Sequence, residues 1–110
     1  DPSGTPVPVY NRSGTTIIEV TAAESPSAAQ IPNVSSAVTI VLVSPNTSPP
    51  SNPQRVKLPE NCEIGDVVEV YYTSQVEALT VVAPSGETFL GNNGSGKFNR
   101  KVSATEWVGI

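Results

Sequence analysis

The chain contains no histidine and a single cysteine in 110 residues. Without histidine there is no Ser-His-Asp triad, no Cys-His dyad and no His-ligated zinc or haem. One cysteine rules out an internal disulfide and a thiolate metal cluster. We therefore expect a protein without metal or cofactor, and we place an enzyme last among the possible functions because no acid–base or nucleophile set is evident.

Charged and aromatic residues are also scarce, at 15% and 5% of the chain. The net charge of −4 argues against a protein that binds nucleic acid through phosphate contacts. No apolar run approaches the roughly 20 residues of a membrane span, so we expect no membrane partner. The chain begins Asp-Pro without a basic-then-apolar segment, which predicts that it carries no signal peptide and that it is a processed or trimmed form.

What the sequence does contain is Ser, Thr, Asn, Pro and Gly around short β-branched runs. These runs predict an all-β fold of seven to nine strands, built as a compact antiparallel β-sandwich or small β-barrel. The apolar run Val38–Val43 predicts a strand with little exposure on either face. The predicted strands are Thr15–Thr21, Val38–Val43, Arg55–Leu58, Val67–Tyr72, Leu79–Ala83, Thr88–Leu90, Lys97–Ala104 and Glu106–Ile110.

Three segments fall outside these strands. Residues 1–14 hold three prolines and predict an extended N-terminal arm, which leaves residues 15–110 as a single β domain. Residues 22–37 predict a long connection, with at most one helical turn in Thr21–Gln30 because Pro26 interrupts it. Residues 44–54 carry four prolines and predict a loop. The first half of the chain has one basic residue, so we expect it to lie across its own sheet or a neighbour's.

The proline-rich arm and loop are the candidate partner-binding segments. Proline already restricts the free chain, so such segments lose little entropy when they become ordered on a partner. The candidate contact residues are Pro2, Pro6, Val7, Pro8, Val9, Tyr10, Pro45, Pro49, Pro50 and Pro53.

Several other motifs could indicate a phosphate-binding loop, a reactive thiol or a calcium site, but a structural role is favoured for each of them. Gly91–Lys97 matches GxxxxGK, yet Phe98 replaces the Ser or Thr that a phosphate loop needs, so a hairpin turn is favoured. The thiol of Cys62 has no strongly positive neighbour and is expected to be partly buried and unreactive. Acidic residues that could suggest a calcium site are interpreted as solvated loop charges: Glu60, Glu63, Asp66 and Glu69. Tyr71 and Tyr72 should face opposite sides of one strand.

The second half contains an ordered series of strand and turn segments: Val56-Lys57-Leu58-Pro59, Ile64–Val70, Leu79–Thr88, a Gly/Asn tip and Ser103–Val108. This order resembles small β-modules in accessory virion proteins of tailed bacteriophages. It implies a structural role, and the leading interpretation is a capsid decoration or cement protein on the virion surface, made in the bacterial cytoplasm. The implied partners are the major capsid protein and other copies of the chain in a homotrimer. The alternatives are a tail-fibre or tail-spike module and a carbohydrate-binding β-sandwich.

Overall fold

A computed structural model describes residues 12–74, 76–91 and 98–109. Within these ranges the chain forms ten strands and no helix, so the fold is all-β as the sequence predicts. The strands are β1 (Thr15–Thr21), β2 (Ala23–Glu24), β3 (Ala29–Gln30), β4 (Val38–Ser44), β5 (Gln54–Lys57), β6 (Val67–Tyr72), β7 (Leu79–Val82), β8 (Thr88–Phe89), β9 (Phe98–Lys101) and β10 (Glu106–Gly109).

The strands form two mixed sheets. The larger sheet has six strands in the order β1-β4-β6-β9-β10-β8. In the smaller sheet β5 is central: β7 pairs with its whole length, while β2 and β3 pair with its first and second halves. Five of the eight strand pairings are parallel, so the expectation of an antiparallel fold is wrong.

The parallel pairings follow from the path of the chain. From β4 to β8 the chain alternates between the larger and the smaller sheet at every strand. Parallel neighbours need a long crossover connection, and in four of the five parallel pairs a strand of the other sheet lies within it. Thus β4 and β6 lie side by side and run in the same direction because β5 carries the chain between them. The exception is the pair β8 and β10, whose connection contains β9 of the same sheet.

The connection after β1 is more structured than the sequence predicts. Instead of a helical turn, Thr21–Gln30 contains the end of β1, the strands β2 and β3, and a turn in which Ser27 N–H donates to Glu24 O at 3.0 Å. A two-residue strand has almost no recognisable pattern in the sequence, because β2 and β3 are strands only through their backbone pairing with β5. Residues 12–54 therefore contribute strands to both sheets.

Both sheets contribute to one hydrophobic core. Alternate residues of β4 and β6 point inward, which is the period of two expected of strands with one buried face. The fully enclosed Trp107 of β10 is the largest member. The core comprises Ala22, Ile31, Val34, Val41, Val43, Val56, Leu58, Cys62, Val68, Val70, Val81 and Trp107.

A charged pair lies beside that tryptophan. Glu87 Oε1 accepts hydrogen bonds from Lys101 Nζ and from Trp107 Nε1, both at 2.8 Å. The side chains of Lys101 and Glu87 are 9% and 11% exposed. The pair fixes the orientation of the indole ring, because one carboxylate oxygen satisfies both donors.

Candidate interaction surface

The side of the larger sheet that faces away from the core is unusually apolar. We call it the outer sheet face, and its members alternate with the core residues along β1, β4, β6, β9 and β10. It consists of Thr15, Ile17, Glu19, Thr21, Val38, Ile40, Leu42, Ser44, Val67, Glu69, Tyr71, Phe98, Arg100, Glu106 and Val108. Eight of these fifteen residues are aliphatic or aromatic, whereas the solvated face of a sheet is normally polar.

The strand register brings these residues into continuous rows. One row runs across four strands as Ile17, Ile40, Glu69 and Phe98. The row on one side of it places Val38 beside Val67, and the row on its other side places Leu42 beside Tyr71. Ile17 is 63% exposed and Phe98 37% exposed, and the members between them are half-buried. The apolar side chains therefore form a patch rather than isolated exposures.

The size of the patch is informative. Four strands about 4.8 Å apart, each contributing about 20 Å of length, give a flat area of roughly 400 Å². The largest apolar patch of a typical soluble monomer has about this size and is often functional. Among the described residues no second layer of strands covers this face, because the smaller sheet packs on the core side.

Polar groups on the outer sheet face are few. Tyr71 OH donates a hydrogen bond of 2.6 Å to Glu69 Oε1, and this bond raises the pKa of the Tyr71 hydroxyl. Tyr72, by contrast, packs against the core. The prediction that the two tyrosines face opposite sides is confirmed.

One border of this face is the edge of β1. Gly14 O accepts from Val38 N at 3.1 Å, and Ala22 N donates to Ser44 O at 2.8 Å. The backbone N–H and C=O groups of the even-numbered residues in this segment therefore point toward β4. Alternate residues of a strand direct their N–H and C=O groups to opposite neighbours. The outward backbone groups, which we call the β1 edge, belong to Thr15, Ile17, Glu19 and Thr21. No described residue pairs with them.

The sequence-predicted contact residues are in two places. Pro2, Pro6, Val7, Pro8, Val9 and Tyr10 lie outside the described residues. Pro45, Pro49, Pro50 and Pro53 lie in the loop between β4 and β5, where Pro50 is buried and Pro49 and Pro53 are exposed. The structure does not bring this loop to the outer sheet face. Sequence reasoning missed that face, although the uninterrupted apolar run of β4 beside the exposed Ile17 was its signal.

The loop is held by its own chain. Asn46 N–H donates to Gln54 Oε1 at 2.7 Å, and Gln54 Nε2 donates to Asn52 O at 2.8 Å, so the enclosed Gln54 is satisfied from both ends. Asn52 Nδ2 donates to Glu24 Oε2 at 2.9 Å. These bonds order residues 45–53 without a partner, and partner binding by its prolines stays a prediction.

Arg12 fixes the point at which the predicted arm meets the domain. Its guanidinium donates to Asp66 Oδ2 at 3.0 Å, to Glu63 Oε2 at 3.2 Å and to the carbonyls of Val34 and Asn61 at 3.2 Å. Asp66 is nearly enclosed and also accepts from Glu63 N–H at 2.8 Å. Arg12 therefore belongs to the domain, although the sequence assigns it to the arm.

The acidic residues considered for calcium have separate partners. Glu63 and Asp66 contact Arg12, Glu69 accepts from Tyr71, and Glu60 pairs with Lys57 at 3.0 Å. The described ranges contain no group of three or more His, Cys, Asp or Glu placed to hold a metal. They also contain no helix long and apolar enough to cross a bilayer.

One polar cluster resembles a Ser-Lys dyad. Lys57 Nζ lies 2.7 Å from Ser85 Oγ, but it also pairs with Glu60, whose pKa is lowered by hydrogen bonds from Lys57 and from Ser85 N–H. A general base must accept a proton from the serine, whereas Lys57 Nζ is placed here as a hydrogen-bond donor to Ser85 Oγ and to Glu60. The cluster ties the turn at Ser85 to the end of β5.

Cys62 and the glycine-rich segment Gly91–Lys97 are the two remaining motifs that could suggest a reactive or binding site. Cys62 is buried, and burial raises the pKa of its thiol to about 12, with a contribution from Asp66. A thiol in this state is a poor nucleophile. The hairpin tip expected within Gly91–Lys97 falls in residues 92–97, outside the described part of the chain.

Comparisons of the chain with protein-family models, with curated proteins and with solved structures found no match. A function can therefore be argued only from the residues and geometry above, together with the sequence resemblance of residues 55–110.

Proposed function

We propose that this chain is a non-enzymatic structural protein of a bacteriophage virion, a decoration subunit that binds the capsid surface and stabilises it by bridging neighbouring subunits. The observation that carries the proposal is the outer sheet face. Binding a protein lattice requires a large complementary surface and no reactive group. The outer sheet face supports this role by offering a mainly apolar area of roughly 400 Å², and the virion assignment is supported by the sequence resemblance.

The proposed contact is apolar at its centre and sparsely charged. Ile17, Ile40 and Leu42 would be removed from water on binding, which is favourable by about 25 cal/mol per Å² of apolar surface. Glu19, Glu69 and Arg100 lie among them and would set the orientation of the partner. We expect the capsid surface to present a flat apolar patch with at least one basic group.

The finer architecture belongs to the same proposal. Two sheets that share one core are the arrangement of a β-sandwich, and the residues before Arg12 would form the extended arm that reaches the capsid. Self-association is also part of the proposal. The resemblance predicts a homotrimer.

The test is reconstitution on particles that lack the protein. The purified chain should add regular density to the capsid in electron micrographs and should raise the temperature at which particles release DNA. The variants Ile40→Thr and Phe98→Thr should reduce occupancy, because they replace outer-face residues while keeping strand propensity.

The matched control is Ile64→Thr. Ile64 is 58% exposed but lies in the turn before β6, away from the outer sheet face. Wild-type protein that adds no density, or an Ile64 variant that loses binding as much as the outer-face variants, would contradict the proposal. Removal of residues 1–10 without effect on binding would refute the role of the arm.

A carbohydrate-binding role is the second candidate, because Tyr71 and Phe98 share a face with the carboxylate of Glu69. Exposed aromatic rings and carboxylates are the groups that sugars stack on and bond to. Glycan-array binding that is lost in Tyr71→Ala would favour this role, as it would favour a tail-fibre module, over capsid decoration.

A further inference from the structure

We propose that the β1 edge pairs with the β1 edge of a second copy, antiparallel and about a twofold axis that passes beside Ile18. The inference goes beyond the proposed function and departs from the homotrimer that the resemblance implies, because a contact of one edge with the same edge of a second copy closes at two copies. It does not depend on the virion assignment.

The composition of β1 suits an edge that is covered. Six of its seven residues are β-branched, and it contains no proline, lysine or arginine. Natural edge strands are protected by short length, proline, charge or a bulge. The opposite edge of the larger sheet, β8, has only two residues, and the edge strand β7 of the smaller sheet has four. β1 is the longest of these edges and has one charge, Glu19.

The register of the proposed contact follows from which backbone groups point outward. Hydrogen-bonded pairs must form between outward positions, all of which are odd-numbered in β1. Antiparallel pairing centred on Ile18 places Thr15 opposite Thr21 and Ile17 opposite Glu19 of the second copy. All seven residues then pair, and four hydrogen-bonded residue pairs exchange about eight backbone hydrogen bonds.

The same register satisfies the side chains. Ile18 lies opposite its own counterpart, and Thr16 lies opposite Val20 of the second copy, so residues that face one core meet residues that face the other. A twofold axis perpendicular to the sheet leaves both outer sheet faces on one side. The dimer would thus present one continuous apolar surface of twice the area.

The contact is narrow, so its strength is limited. Seven residues span about 23 Å and a sheet is about 10 Å thick, which gives a flat contact of roughly 230 Å² per copy. This is well below the area of a permanent interface, and we expect a weak dimer whose population depends strongly on protein concentration.

Charge substitutions at Ile17 test the register directly. Ile17 lies opposite Glu19 of the second copy, so Ile17→Lys should create two attractive cross-strand pairs and Ile17→Glu two repulsive ones. Sedimentation equilibrium at low salt should give a dimer dissociation constant about 10-fold or more higher for Ile17→Glu than for Ile17→Lys. The difference should shrink at high salt.

The matched controls are Ile64→Lys and Ile64→Glu, which place the same charges on an isoleucine of similar exposure away from β1. Their dissociation constants should equal that of the wild type. A monomer at all concentrations, a trimer, or equal effects of the two charges at Ile17 would overturn the inference.

Amide hydrogen exchange supplies a second readout that needs no variant. The N–H groups of Ile17 and Glu19 should exchange rapidly in dilute protein and become protected at high concentration. Those of Thr16 and Ile18, which bond to β4, should be protected at both concentrations. Protection of Ile17 and Glu19 at every concentration would mean that the same chain, for example its first residues, covers the edge, and would overturn the inference.

The two proposals fail in different ways. A monomeric protein that still decorates particles overturns the β1 contact and leaves the proposed function standing. A dimer that binds no particle leaves the contact standing and removes the virion role.

Discussion

The carboxylate of Glu87 is the single group whose replacement should test the core most sharply. Glu87→Gln keeps an acceptor for Trp107 Nε1 but leaves the Lys101 ammonium without a counter-charge at a site where that side chain is 9% exposed. Removing one partner of a buried ion pair costs about 3–5 kcal/mol, because an uncompensated charge remains. The slight exposure of both groups places the expected loss near 3 kcal/mol.

That loss is large for a domain of this size. Domains of about 100 residues have stabilities of about 5–15 kcal/mol, and each kcal/mol shifts Tm by about 4–8 °C. We therefore expect Tm of Glu87→Gln to fall by about 10–20 °C. The double variant Glu87→Gln with Lys101→Met should recover most of the loss, since it removes both charges while the amide oxygen still accepts from the indole.

Urea unfolding followed by tryptophan fluorescence is the natural assay, because Trp107 is the only tryptophan and lies in the core. The single and double variants together form a cycle in which the two charges should couple by about 2 kcal/mol. A loss below about 1 kcal/mol for Glu87→Gln, or a double variant as unstable as the sum of the single ones, would refute this account of the pair.

Three further predictions concern titratable and charged groups. Burial, and after it the charge of Asp66, raises the pKa of Cys62 to about 12, so the native thiol at pH 8 should react with a disulfide reagent at less than about a tenth of its unfolded rate. The stability that the bound proton provides is complete below pH 9.0 and is lost as pH rises toward 12. Cys62→Ala should therefore reduce the loss of folding stability at alkaline pH. Equal labelling of folded and unfolded protein would contradict this. Arg12→Gln should cost about 2 kcal/mol in urea unfolding because it leaves Asp66 short of its cation, and an unchanged midpoint would show that the cluster is not stabilising. The lowered pKa of Glu60 adds folding stability above pH 4.5, and this stability is lost on acidification. Lys57→Met should make Tm depend less on pH, which calorimetry between pH 3 and 6 would measure.

Local patterns were sufficient to locate most strands. Thr15–Thr21 and Val67–Tyr72 have the bounds that the β-branched runs predict, since each run begins directly after a turn-forming residue, Gly14 or Asp66. The turn at Gly65, which has φ of +98°, was also visible as a Gly-Asp step before β6. Propensity acts on neighbouring residues, and these features depend on neighbours alone.

Strand pairing could not be predicted in the same way. Whether β4 pairs with β5 or with β6 depends on residues more than twenty positions apart, and the sequence offers no local marker of the chain crossing between sheets. β2 and β3 are still harder, because β5 alone makes these two-residue segments strands. The assumption of hairpins led to the antiparallel prediction.

The outer sheet face shows how a sequence pattern can be correct while its explanation is wrong. The run Val38–Val43 predicts burial on both faces, as in a sheet covered on two sides. The structure buries Val41 and Val43 in the core but leaves Ile40 and Leu42 half-exposed among the described residues. Among residues 12–74, 76–91 and 98–109 nothing covers the second face of this apolar strand, and a surface of this kind is suited to binding a partner. This is the physical link between the β1 contact and the proposed capsid contact, because pairing of β1 would cover the edge and double the apolar face that the capsid is proposed to cover. A dimer whose outer sheet face binds no hydrophobic dye would break this link, because it would show that the face is already protected from water.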